Sequence, residues 1–179
     1  MLIPTNTYAL SGGSMGLKGV LLDTAFILRF LRNGDPLQSN ALAWFRYLLE
    51  HQKPMYFSTV SISEYCAGGA FDDLPLRNLR VLPFNIDHAR HAGELTRTLL
   101  RLRREGGIDI DRTIVLNDVK LLAQAEVEAG ISHFLTSDRS FADRLQLLRT
   151  NGHMIRTTVL DLYVPMAEAL GKLDFPEEK

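Results

Sequence analysis

The stretch Gly19-Val20-Leu21-Leu22-Asp23-Thr24-Ala25-Phe26 (GVLLDTAF) decides the fold. Val20, Leu21 and Leu22 form an apolar run with no polar alternation. That pattern belongs to a strand covered on both faces in a parallel sheet. Phe26, Ile27, Phe30 and Leu31 then repeat at helical spacing, and Asn33-Gly34-Asp35-Pro36 ends the segment. Asp23 therefore stands at a strand-to-helix junction, at the carboxyl end of a buried strand. In open parallel sheets ligands bind beyond the carboxyl ends of the strands, so this is where chemistry is expected.

The same alternation continues downstream. A second helix is expected from Ser39 to about His51, with Leu42, Phe45, Leu48 and Leu49 on its apolar face. Met55–Thr59 reads as a strand. The next helix is expected to start at Ser61 or Ser63, which places Glu64 in its first turn. Arg80–Phe84 reads as a strand, followed by a long helix capped by Asp87 and reaching about Arg104. Gly106-Gly107 breaks it, and a helix capped by Asp111 runs to about Gly130. His133–Ser137, a helix from about Ser140 to Thr150, a last strand over Met154–Leu160 and a short helix after Pro165 complete the series. Strands alternating with helices predict an α/β domain around a mainly parallel sheet. Residues 1–18, rich in Thr, Ser, Gly and Asn, read as a flexible leader, and residues 19–179 as one domain.

Bulk composition narrows the class. Hydrophobic residues make up 46% and charged residues 23% of 179 residues, as in an ordinary globular chain. Lys+Arg total 20 and Asp+Glu 21, so a nucleic-acid partner would have to meet a local patch rather than a basic chain. The single cysteine, Cys66, excludes an internal disulfide and fits a reducing, cytoplasmic setting. No apolar run has the length to span a bilayer, and the first residues do not follow a secretory pattern. No G-x-G-x-x-G follows the first strand, which disfavours a dinucleotide site, and Asp23-Thr24-Ala25 lacks the second Asp of a phosphoacceptor.

Four acids occupy positions where strand ends bring side chains together. Asp23 follows the first strand, Glu64 the second, and Asp138 follows Phe134-Leu135-Thr136; Asp118 lies in a helix among Ile114, Val115, Val119, Leu121 and Leu122. A carboxylate there must find a cation, a donor or water. Several carboxylates crowded together repel unless a cation sits among them, and an all-oxygen set suits Mg²⁺ or Mn²⁺ rather than zinc. Each acid alone has a plainer reading. Asp23 and Asp138 read equally as helix caps, Glu64 as a solvated acid, and Asp118 as a partner of Lys120 or Arg112. The functional reading rests on the set.

The segments LLDTAF with Asp23, STVSISEY with Glu64, LNDVKLLAQAEVEAG with Asp118 and FLTSDRSF with Asp138, in that order, resemble the PIN-domain family over roughly Gly19 to Leu160. The resemblance implies a Rossmann-like three-layer α/β/α sandwich and a Mg²⁺- or Mn²⁺-dependent ribonuclease. It places the metal-binding acids on Asp23, Glu64, Asp118 and Asp138, and the hydroxyl beside the last acid on Thr136, with Thr24 in support. Many relatives are toxins of toxin–antitoxin pairs and often dimeric, which implies RNA as substrate, a cognate antitoxin and a homodimer. The chain departs from that pattern in its longer leader, its Gly106-Gly107 loop and the lack of a second Asp soon after Asp138. A non-catalytic RNA- or protein-binding module on the same fold is the alternative.

Among the remaining features, Arg97, Arg101, Arg103 and Arg104 gather at the end of the long helix, Arg29 and Arg32 end the first, and Arg139 and Arg144 lie near Asp138. They read as phosphate contacts or as dipole-favoured surface cations. His88 and His91 read as surface residues, and Trp44, Phe45 and Tyr47 as core or dimer contacts.

Overall fold

A computed structural model describes residues 17–106 and 112–171. The leader before Leu17, the expected cap Asp111 and the last residues of the chain lie outside the described residues. Five strands, β1 (Val20–Leu22), β2 (Met55–Ser58), β3 (Arg80–Leu82), β4 (His133–Thr136) and β5 (Thr158–Asp161), form one sheet in the order β3-β2-β1-β4-β5. Every pairing is parallel. The helices are α1 (Thr24–Leu31), α2 (Gln38–Glu50), α3 (Thr59–Tyr65), α4 (Ile86–Arg104), α5 (Arg112–Val127), α6 (Arg139–Thr150) and α7 (Met166–Ala169).

Helices cover both faces, which gives the expected α/β/α sandwich. Successive strand residues point to opposite faces, and β1 divides accordingly. Val20 and Leu22 enter the core shared with Phe26, Trp44 and Leu48, whereas Leu21 enters the core shared with Leu95, Leu99, Leu122, Phe134 and Phe141. All three β1 residues are fully buried, which explains the unbroken apolar run. At its amino end β1 comes very close to the turn after α5: a Cβ on Gly19 would lie 2.5 Å from the Gly130 carbonyl oxygen, so only glycine fits there.

The chain leaves β1 for β2 and β3 on one side, then returns to β4 on the other. The strand order therefore reverses between β1 and β4, and the crevice at that reversal is the natural ligand position.

Several local expectations are corrected. Ser58 starts α3: its Oγ accepts the Val60 amide at 2.9 Å, so the helix begins before Ser61 and Glu64 falls in the last turn rather than the first. Asn85, not Asp87, caps α4. Its Oδ1 accepts the His88 amide at 3.0 Å, and His88 Nδ1 accepts the Asn85 amide at 3.1 Å. His88 is fully buried instead of lying on the surface. With Nδ1 an acceptor, Nε2 carries the proton and donates to Glu128 at 3.0 Å, tying the start of α4 to the end of α5. Cys66 is exposed.

The last strand begins at Thr158 rather than Met154. The reason is Arg156, whose guanidinium donates to the carbonyls of Ile131, Ala125, Glu128 and Glu126 at 2.5, 2.5, 2.6 and 3.1 Å. Ala125 and Glu126 belong to the last turn of α5, whose carbonyls have no intrahelical partners, and Glu128 and Ile131 to the turn beyond it. The amides of Arg156 and Thr157 donate to the Glu126 carboxylate at 3.0 and 2.8 Å, so this segment serves the helix end rather than the sheet.

Asp35 holds the α1–α2 turn. Its Oδ1 accepts the Leu37 amide at 2.9 Å and its Oδ2 accepts Arg29 at 2.7 Å. The Arg29 hydrogen bond and the Leu37 amide hold this carboxyl below the ordinary 3.8. A depressed folded value means the contribution is complete above 3.8 and is lost as the pH falls through the folded value. Asp35→Asn is expected to lower the melting temperature at pH 7 by a few degrees. The gap to the wild type should close as the pH is lowered into the carboxylate range, as read by thermal denaturation across pH.

Candidate active site

Three elements meet at the reversal between β1 and β4, and a fourth adjoins them. Asp23 ends β1 and occupies the N-cap position of α1, but its side chain makes no cap bond. Instead its Oδ2 accepts the Thr136 hydroxyl at 2.6 Å, from the last residue of β4. The same Thr136 oxygen accepts the Asp138 amide at 2.9 Å. One hydroxyl thus locks the two loops together, because donor and acceptor capacity are both used.

Glu64, on α3, is held from two sides. Its Oε2 accepts the Thr24 hydroxyl and its Oε1 accepts Asn117 Nδ2, both at 2.5 Å. Lys120 donates to Asn117 Oδ1 at 3.1 Å, so a basic residue orients the amide that orients the acid. Asp118 pairs with Arg144 rather than with Lys120, and the side chain of Arg112 lies outside the described residues. Asp118 Oδ2 is bonded by Arg144 from α6, and the same guanidinium nitrogen lies 2.6 Å from Asp138 Oδ2. Asp138 also caps α6 as its plainer reading holds, with Oδ1 accepting the Ser140 amide at 2.9 Å and the Ser140 hydroxyl at 2.6 Å.

The four acids lie within one another's electrostatic field. Burial, eased by the Thr136 hydrogen bond, pushes the Asp23 carboxyl up to about 6, and Glu64 and Asp138 add to the rise. Burial pushes Asp118 up to about 7 despite the nearby Arg144 charge, and Asp23, Asp138 and Glu64 raise it further. At Asp138 burial raises the value, but the Ser140 hydroxyl and Arg144 outweigh it, so this carboxyl stays below the ordinary range. Asp23, buried without a basic partner among the described residues, and half-buried Asp118, paired with Arg144, sit beside two more acids, and all the candidate ligand atoms are oxygen. In kind and charge the set fits a hard divalent ion. In placement it is not a closed cage: among the described residues no three acidic, His or Cys side chains are grouped closely enough to hold an ion. Protein donors occupy some of their lone pairs instead.

A cleft of about 710 Å³ opens beside Glu64, walled by Ala25, Leu28, Arg29, Arg32 and Tyr65. Arg101 lies elsewhere. It reaches Asn151 at the far end of α6 from Asp138, and a 12-residue helix spans about 18 Å. Asn117 and Ser140 escaped the sequence reading, and Arg144 was legible only as a cation near Asp138. Asn117 lies within the third acidic segment, but nothing local announces its reach to Glu64, 53 residues earlier.

Residues 20–145 match the PIN domain, and the chain belongs to the PIN domain family. Among solved structures it is similar to VapBC2 from Rickettsia felis bound to a DNA fragment from their promoter. That match has a TM-score of 0.53 and 15% identity over 79% of this chain and 98% of that chain. Two further similar structures are DNA-bound VapBC from Salmonella typhimurium (TM-score 0.47, 17% identity, 80% of this chain and 98% of that one) and VapC20 from Mycobacterium tuberculosis, a sarcin–ricin loop cleaving toxin (0.48, 18%, 70% and 94%). At these identities the likeness is one of fold. No curated protein matches the chain. No helix among the described residues is long and apolar enough to cross a membrane.

Proposed function

We propose that this chain is a divalent-ion-dependent endoribonuclease, in which a single domain over residues 19–179 hydrolyses RNA phosphodiesters. The observation that supports this reading is that Asp23, Glu64, Asp118 and Asp138 lie within one another's electrostatic field beside the β1/β4 reversal, with Asp23 raised to about 6 and Asp118 to about 7. Membership of the PIN domain family supports it. These four acids would hold Mg²⁺ or Mn²⁺. When bound, such an ion lowers the pKa of water and offsets charge developing on the phosphate.

The chain's own residues prepare the site. Thr136 fixes Asp23 against the Asp138 loop. Thr24 and Asn117 aim Glu64. The cleft beside Glu64 gives a strand an exit, and Arg32 on its wall offers a backbone phosphate contact. The family resemblance further supports a toxin role with a cognate antitoxin, and a homodimer.

Thr136 acts as a positioning residue. Thr136→Val removes both of its bonds and is expected to slow cleavage roughly 10- to 100-fold, the usual cost of losing support behind a ligand. Thr136→Ser keeps the hydroxyl and should restore most of the rate; equal loss in both variants would point to packing instead.

The second reading, a non-catalytic binding module, is favoured by one observation: Arg144 already pairs with two of the acids. A labelled RNA pool incubated with Mg²⁺ or Mn²⁺ separates the two. Cleavage that chelation stops supports the nuclease. Retention of RNA without cleavage under either ion supports the module.

A further inference from the structure

Arg144 links the two acids that the preceding reading assigns to an ion. One of its terminal nitrogens bonds Asp118 Oδ2 and lies 2.6 Å from Asp138 Oδ2, while the other donates to Ser140 Oγ at 2.6 Å. The side chain is 14% exposed. Its Nε is buried and has no hydrogen-bond partner. A guanidinium at home in a structural ion pair normally spreads its donors over well-placed acceptors. Here a buried donor is left unmet, which carries a cost. The side chain springs from the second turn of α6 and is long enough to swing about its own stem without moving the helix.

We infer that Arg144 is the resident counter-cation of this cluster, and that its guanidinium and a divalent ion compete for Asp118 and Asp138. The inference rests on reading the cluster as an ion site. The guanidinium occupies Oδ2 of both acids and its positive charge repels a divalent ion, so an ion binds Asp118 and Asp138 more tightly once the guanidinium leaves. This also accounts for the four acids converging electrostatically without forming a cage of three. Ser140 keeps the departing group close, since its oxygen accepts from Arg144 while its hydroxyl donates to Asp138 Oδ1. The displaced guanidinium remains beside the site as a cation for the substrate phosphate.

The test is calorimetric titration of the full chain with Mn²⁺ at fixed pH, comparing the wild type, Arg144→Gln and Arg144→Lys. Competition predicts that Arg144→Gln binds Mn²⁺ at least tenfold more tightly, with Arg144→Lys between it and the wild type. Thermal stabilisation by Mn²⁺ should follow the same order, and Arg144→Lys, which keeps the charge, covers the case in which unneutralised acids stop Arg144→Gln from folding. Equal or weaker binding by the variants, with the wild type binding Mn²⁺, overturns the competition and leaves the ion site standing. No Mn²⁺ binding by any of the three proteins overturns both the competition and the nuclease reading.

Discussion

Asp118→Asn is expected to reduce ion-dependent RNA cleavage by on the order of 10³-fold or more while leaving the fold intact. Removing a single group that stabilises transition-state charge commonly costs about 10²- to 10³-fold, and this residue would also hold the ion itself. The fold should survive for a reason that can be read from the acid's own titration. Burial pushes the Asp118 carboxyl up to about 7, so the folded state resists its charged form. The neutral amide removes that penalty. The opposing loss is the Arg144 contact, and Arg144 still has Asp138 and Ser140. Circular dichroism should match the wild type, and added Mn²⁺ should stabilise the variant much less. Undiminished cleavage by a folded Asp118→Asn protein would remove Asp118 from the site.

Arg156→Ala is the substitution expected to destabilise the chain most without touching the acids. It strips four carbonyls, at the end of α5 and in the turn beyond it, of a charged donor. Hydrogen bonds to charged groups contribute about 1.5–3 kcal/mol each, but the four are coupled and water can reach part of the site. A net cost of about 3 kcal/mol is expected, which for a chain of this size lowers the melting temperature by on the order of 10 °C. Arg156→Lys should recover only a fraction, because a point charge cannot serve four carbonyls at once. Thermal unfolding with a drop of only a degree or two for Arg156→Ala would show that water replaces the clamp.

The part of this architecture that was legible in the sequence is the part governed by neighbours along the chain. Val20-Leu21-Leu22 announced a buried strand because it is covered on both faces. Asp23 and Asp138 were legible as candidates because the first directly follows β1 and the second comes two residues after β4. Glu64 was misplaced within its helix, since Ser61 or Ser63 was expected to start α3 and Ser58, read as part of the strand, makes the cap bond. His88 looked like a surface residue because the partner its ring meets, Glu128, lies 40 residues away. Arg156 broke an apolar strand pattern for the same kind of reason: its acceptors lie on another element. Arg144 and Asn117 join acids across helices, and helix approach is set by packing that no local pattern encodes. The strand order that sets β1 beside β4, and so Asp23 near Asp138, is likewise a property of pairing.

The central claim, that Asp23, Glu64, Asp118 and Asp138 form one ion site, is tested most directly by crystallising the protein with Mn²⁺ and locating the ion by its anomalous scattering. The account predicts a peak among these acids, ligated by Asp23 and by Asp118 or Asp138, with the Arg144 guanidinium turned away from the ligand oxygens. No peak there at an ion concentration that supports RNA cleavage, or a peak held by other residues, would contradict it.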